Sequence, residues 1–235
     1  MFGGYYYYMD PTYILIIIGI VLSLLASAKM KSTFSKYSKV RSYTGMTGAQ
    51  AAERLLQAEG IYDVRVEHIS GDLTDHYDPK RKVLRLSDTV YQSASVAALG
   101  VAAHECGHAI QHKEGYAPLK IRGSMVPAVN FGAQISWPLI FIGIIFSSLD
   151  FLIQFGIILF SLTVIFQLVT LPVEFNASHR ALVALERNHI LQEGEIKSTR
   201  KVLTAAALTY VAAAAASILQ LLRLLILFGG RRNDD

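Results

Sequence analysis

One cysteine in 235 residues, Cys106, excludes an internal disulfide and fits a reducing compartment. Charge is also scarce. Asp, Glu, Lys and Arg make up 17% of the chain, against about 25% in an ordinary soluble domain, and 52% is hydrophobic. The deficit is concentrated in long apolar blocks, which excludes a uniformly greasy globule and points to a membrane protein. No Lys or Arg precedes Tyr13. No internal repeat is present, and there is no low-complexity linker apart from an Ala-rich stretch near the end. The formal net charge of +4 does not indicate nucleic acid, because the basic residues flank apolar blocks instead of alternating with aromatics.

A bilayer-spanning helix needs about 20 mostly apolar residues. Tyr13 to Ala28 nearly supplies them, and Tyr5, Tyr6, Tyr7 and Tyr8 suit an interfacial aromatic belt. Val126 to Leu149 and Phe151 to Leu171 are separated only by a tight turn at Asp150, which predicts a transmembrane hairpin. Val202 to Phe228 is a fourth candidate, Ala-rich and then Leu-rich, with Arg223 inside it. Its alternative is that Val202 to Ala216 packs in a soluble domain, and a fourth span is favoured. Ala26-Ser27-Ala28 resembles a signal-peptidase site, but the leader lacks basic residues and the basic cluster follows it, so a retained anchor is expected. Lys29, Lys31, Lys36, Lys39 and Arg41 place the loop after the first span in the cytoplasm by the positive-inside rule. Arg231 and Arg232 run against that rule if the last block spans. Asn130 and Gln134, four apart, suit either a polar path through the helices or a polar seam between them, and the seam is favoured.

Between the first span and the hairpin, Thr47 and Gln50 form a capping-box signature for a helix from Gly48 to Glu59, with Gly60 in the C′ position. Val64, Val66 and Ile69 predict a short strand, and Leu73–Tyr77 and Lys82–Leu86 bracket a turn at Asp78-Pro79. The chemistry lies next, in an Ala- and Val-rich run. His104-Glu105-Cys106-Gly107-His108 is an H-E-x-x-H word. Residues four apart share a helix face, so both imidazoles can grip one zinc ion while Glu105 addresses a water there. That is equipment for peptide hydrolysis. Cys106 points off this face and reads as a small buried hydrophobe. Gly100 and Gly107 are expected to admit a close neighbour, with the hairpin as a candidate.

A catalytic zinc usually has three protein ligands. His112 is unsuitable, because His104 and His112 lie about 12 Å apart along a helix. Gln111 and Glu114 stand where an extended zinc motif requires Gly and His. Glu174, His179, Glu186 and His189, beyond the hairpin, all remain candidates on composition.

Four stretches together are specific: Gly71-Asp72-Leu73-Thr74-Asp75-His76-Tyr77-Asp78-Pro79, Leu86-Ser87, Val101 to Gln111 across the H-E-x-x-H word, and Leu171-Pro172-Val173-Glu174-Phe175. Through them the chain resembles, over nearly its whole length, the YugP-like family of bacterial membrane-anchored neutral zinc metallopeptidases, and more distantly the HtpX-type membrane proteases. The resemblance implies a mainly α membrane protein with three or four transmembrane helices and a small α+β zincin-like catalytic domain split by a transmembrane hairpin. It puts the third ligand on Glu174, beside His104 and His108. The distant relatives carry Asp where this chain has Ser178, so either Asn176 or Ser178 is expected to support the ligands. His179, Arg180, His76 and Tyr77 are candidate donors to a developing oxyanion.

The expected organisation is a membrane anchor over 1–28, a cytoplasmic α+β part with the zinc helix over 29–123, and the hairpin over 124–172. A second catalytic segment covers 173–201, and a hydrophobic helix and tail cover 202–235. The expected function is a multi-pass, cytoplasm-facing zinc endopeptidase acting on membrane or membrane-surface proteins, with Glu105 as general base. The alternative is a catalytically inactive membrane scaffold with a degenerate metal site.

Overall fold

The computed structural model describes residues 10–229, and the expected aromatic belt at Tyr5–Tyr8 and the pair Arg231 and Arg232 lie outside them. Along the chain come α1 (Tyr13–Tyr37), α2 (Gly48–Ala58), β1 (Arg65–His68), β2 (His76–Asp78), β3 (Val83–Leu86), the one-turn α3 (Asp88–Tyr91) and α4 (Val96–Lys113). Three long helices follow, α5 (Ala117–Ile145), α6 (Phe151–Arg187) and α7 (Glu193–Phe228). A short 3-10 turn at Ser147–Leu149 joins α5 to α6. Among the described residues, α1, α5, α6 and α7 are long and apolar enough to cross a membrane, with mean hydropathies between 1.6 and 2.3. The architecture is thus a mainly helical membrane protein with a small sheet.

The chain divides into two compact units. One comprises 1–25, 125–167 and 212–235. Its hairpin helices are drawn together at glycines. A Cβ on Gly156 would meet the Ser136 carbonyl oxygen at 2.8 Å, and one on Gly143 would lie 3.1 Å from the backbone nitrogen of Ile153. Ile140, Ile153, Ile157 and Leu224 form a buried cluster. Phe131, Phe141, Phe151, Phe155 and Ile158 stay exposed, as side chains facing lipid would. Arg223 turns inward, its guanidinium 4.5 Å from the Tyr13 ring and 3.7 Å from the Asp10 carboxylate. Asn130 and Gln134 differ from expectation. Both are exposed on α5, so they form no seam within the described residues.

The other unit comprises 26–124 and 168–211. Its local structure follows the sequence signals closely. Thr47 Oγ1 accepts from the Gln50 backbone N–H at 3.2 Å and Gln50 Oε1 accepts from that of Thr47 at 3.0 Å, which fixes the start of α2. Gly60, at φ +64°, ends it. Asp78 Oδ1 accepts from the backbone N–H groups of Lys80 and Arg81 and turns the chain between β2 and β3. The sheet order is β1-β3-β2, with β1 parallel and β2 antiparallel to the central β3. Leu84 and Leu86 of β3, Leu55 and Leu56 of α2, and Leu99, Ala102 and Cys106 of α4 share one core with Leu185, Ile190, Val202 and Leu203. At about 25 cal/mol per Å² of apolar surface, this shared burial is the main term holding α4 in place. The first part of α7 therefore belongs to this unit and its remainder to the other, so both sequence readings of Val202–Phe228 describe parts of one 36-residue helix.

Candidate metal centre and its surroundings

Helix α4 begins where Ser95 Oγ accepts from the Ala98 N–H at 3.1 Å, and it buries an alanine-rich side against the core. The face left over carries His104 and His108. Gly107 lies between them in sequence. A Cβ there would collide with the Ala177 carbonyl oxygen and lie 3.0 and 3.1 Å from that residue's carbonyl carbon and Cα. The missing side chain lets α6 approach α4 backbone to backbone, which carries Glu174, one turn earlier on α6, to the histidines. Gly100 makes similar room for the Thr199 side chain of α7. The neighbours of these glycines are thus the stretch of α6 past the hairpin and the start of α7.

The three candidate ligand atoms lie within 4.8 Å of one another. Glu174 Oε2 is 3.2 Å from His104 Nε2 and 3.7 Å from His108 Nε2. Two ligands on a tetrahedral zinc with bonds of 2.0–2.1 Å stand about 3.4 Å apart, so the set fits that ion. Glu174 is 2% exposed. A carboxylate buried that deeply needs strong partners, and its other oxygen, Oε1, accepts from Arg122 Nη1 at 3.2 Å. One oxygen is therefore anchored while the other faces the imidazoles.

The far nitrogens of the histidines are also held. His104 Nδ1 meets Ser178 Oγ at 3.1 Å, and His108 Nδ1 meets Gln111 Oε1 at 3.0 Å. Gln111 is fully buried and its amide nitrogen donates to the Val173 carbonyl and to Asn176 Oδ1, at 2.8 and 2.9 Å. With both donors spent, its carbonyl oxygen accepts from His108. The proton on His108 is thereby placed on Nδ1, and the Nε2 lone pair is left for a metal. Glu105 is 8% exposed, and among the described residues nothing hydrogen-bonds its carboxylate. Tyr210 of α7 lies within the electrostatic reach of Glu174, Glu105 and Arg122.

The other sequence candidates divide clearly. Asn176 and Ser178 both serve the cluster, Ser178 on His104 and Asn176 through Gln111. Arg180 is committed to Asn176 Oδ1 and to Glu114, at 2.6 Å in each case. His179 is exposed and is not brought to the cluster. His76 Nδ1 bonds the Thr74 carbonyl, and the Tyr77 hydroxyl is hydrogen-bonded to His112 Nδ1 at 2.8 Å. Burial, and then the charges of Asp63 and Asp78, push the Tyr77 phenol up to about 12, so it remains a donor at neutral pH. Asp75 does not pair with the His76 ring. Its carboxylate accepts from the Ser87 N–H and hydroxyl. Cys106 is buried, 3.6 Å from the Ala52 carbonyl, and burial pushes its thiol up. Sequence reasoning missed Arg122, Gln111 and Tyr210. Gln111 carried a usable signal, because a residue three after His108 shares its face.

Comparison with known proteins agrees with this picture. Residues 12–229 match the family described as "Putative neutral zinc metallopeptidase". The "Putative membrane protease YugP" of Bacillus subtilis (strain 168) is 50% identical over 215 residues, covering 91% of this chain and 95% of that protein. No solved structure matches. The matched span contains the H-E-x-x-H turn, the four apolar helices and Glu174 alike, and the chain belongs to this neutral zinc metallopeptidase family.

Proposed function

We propose that the chain is a membrane-embedded zinc endopeptidase that cleaves membrane or membrane-surface proteins. The observation that carries this reading is the convergence of His104, His108 and Glu174 within 4.8 Å, beside an uncommitted Glu105. A zinc ion bound there would supply Lewis acidity to a water and to the scissile carbonyl. Glu105 then takes the proton of the attacking water and delivers it to the leaving amine. Arg122 holds Glu174 Oε1 and so aims the other carboxylate oxygen. Gln111 holds His108 in the ligating tautomer, and Ser178 braces the His104 ring. With Arg180 and Tyr77 engaged elsewhere, we assign the donor to the developing oxyanion to the Tyr210 hydroxyl. The basic cluster from Lys29 to Arg41 supports a cytoplasmic position for this chemistry.

Casein cleavage and zinc content of detergent-purified protein test the proposal together. Glu105→Gln is expected to keep its zinc and lose about 10²–10⁴ in turnover. Tyr210→Phe is expected to keep its zinc and lose about 10²-fold. Wild-type protein without chelator-sensitive cleavage would point instead to an inactive scaffold. Loss of zinc from Tyr210→Phe would make that residue a support of Glu174 and not an oxyanion donor.

A further inference from the structure

A groove of about 570 Å³ lies between α1 and α7, away from the metal ligands. Regular helical spacing builds both walls. Lys29, Thr33 and Lys36 recur at four and three residues on α1, and Lys201, Thr204 and Leu208 at three and four on α7, beside Arg200. The lining holds four cations and no carboxylate. Elsewhere the basic residues are commonly neutralised, as Arg85, Arg122, Arg180 and Arg187 are by Glu67, Glu174, Glu114 and Glu59. Among the described residues no carboxylate pairs with any of the four cations in the groove, and all four are exposed. Concentrating like charge without a counterion is unfavourable unless an anion occupies the site.

Position in the chain says which anion. Lys29 is the first charge after the apolar run Tyr13–Ala28, and the α7 cations Arg200 and Lys201 line the same groove. Lys29 therefore stands where a lipid-length helix leaves the hydrocarbon for the head-group region, and the groove gathers the other three cations beside it. Thr33 and Thr204 add hydroxyl donors for phosphate oxygens, and Leu208 and Ala205 extend the α7 wall with apolar surface.

We propose that this groove is a binding site for the phosphate head group of an anionic phospholipid. The full-length protein in neutral detergent, titrated with phosphatidylglycerol and followed by native mass spectrometry, is expected to retain one lipid per chain. Phosphatidylcholine is expected to be lost. Arg200→Gln with Lys201→Gln should weaken retention about thirtyfold, from the attraction of two basic residues near an anionic head group. Lys31→Gln with Lys39→Gln, which removes equal charge outside the groove, should leave retention unchanged. Matching unfolding temperatures without lipid confirm that both double variants are folded. Equal weakening in the two variants, or equal retention of phosphatidylcholine, would overturn the site. Displacement of the lipid by inorganic phosphate alone would assign the groove to a soluble anion and overturn the lipid reading.

Discussion

Gly107→Ala tests how the candidate centre is assembled, because it touches no ligand. The added methyl would overlap the Ala177 carbonyl and lie 3.0 Å from its carbonyl carbon. Carbon atoms settle about 3.5–4.0 Å apart, so α6 would have to retreat by roughly 0.5–1 Å. Both atoms struck belong to the backbone, and no rotamer change relieves the overlap. Overpacking of this kind costs about 1–3 kcal/mol of stability. The effect on the site is larger in proportion. Glu174 and Ser178 ride on the same helix as Ala177, while His104 and His108 ride on α4 with the new methyl. Metal bonds tolerate deviations of about 0.2 Å, and a misplacement of about 1 Å costs a reacting centre about 10²-fold. Gly107→Ala is therefore expected to remain folded, to bind zinc markedly more weakly in a competition titration against a chelator, and to lose about 10²-fold in peptide cleavage. Wild-type zinc affinity and turnover in a folded Gly107→Ala protein would refute the close-approach argument.

Other outcomes follow from the same contacts. Gln111→Leu removes the acceptor that fixes the His108 tautomer and should lower zinc affinity about 10–100-fold in the same titration. Cys106 should resist maleimide in the native protein and react fully after denaturation, since its thiol is buried and its ionisation disfavoured. Burial holds the Asp75 carboxyl above its ordinary value of 3.8, against the opposing hydrogen bonds from Ser87. The folded state thus favours the neutral acid. Its contribution to stability is full below 3.8 and is lost as pH rises through the raised value. Unfolding temperatures measured across that interval should decline for the wild type and flatten for Asp75→Asn.

What the sequence disclosed depends on how local each signal is. The capping box at Thr47, the turn at Asp78 and the H-E-x-x-H turn involve residues within a few positions of one another, and all three appear as read. Glu174 is separated from His104 by 70 residues, so spacing alone could not select it over His179, Glu186 or His189. The resemblance to a known family made that choice, and the geometry brings Glu174 alone of the four to the histidines. Arg122 reaches Glu174 from α5 and Tyr210 comes within its electrostatic reach from α7, and contacts between separate helices leave no periodicity to detect. Helix α7 was ambiguous for a different reason. An Ala-rich stretch satisfies both a packed interior and a lipid environment, and its single helix supplies residues to both units.

The divided carboxylate of Glu174 has an implication for which residues can stand there. Oε1 reaches back to Arg122 and Oε2 reaches forward to the imidazoles, so the side chain acts as a spacer as well as an anion. Aspartate carries the same charge on a stem one methylene shorter and would have to abandon one of those two engagements. Retreating to the guanidinium would leave the histidines without their third partner, and advancing to them would strand a buried cation. The position therefore selects for reach, and a charge-preserving exchange there is not a conservative one.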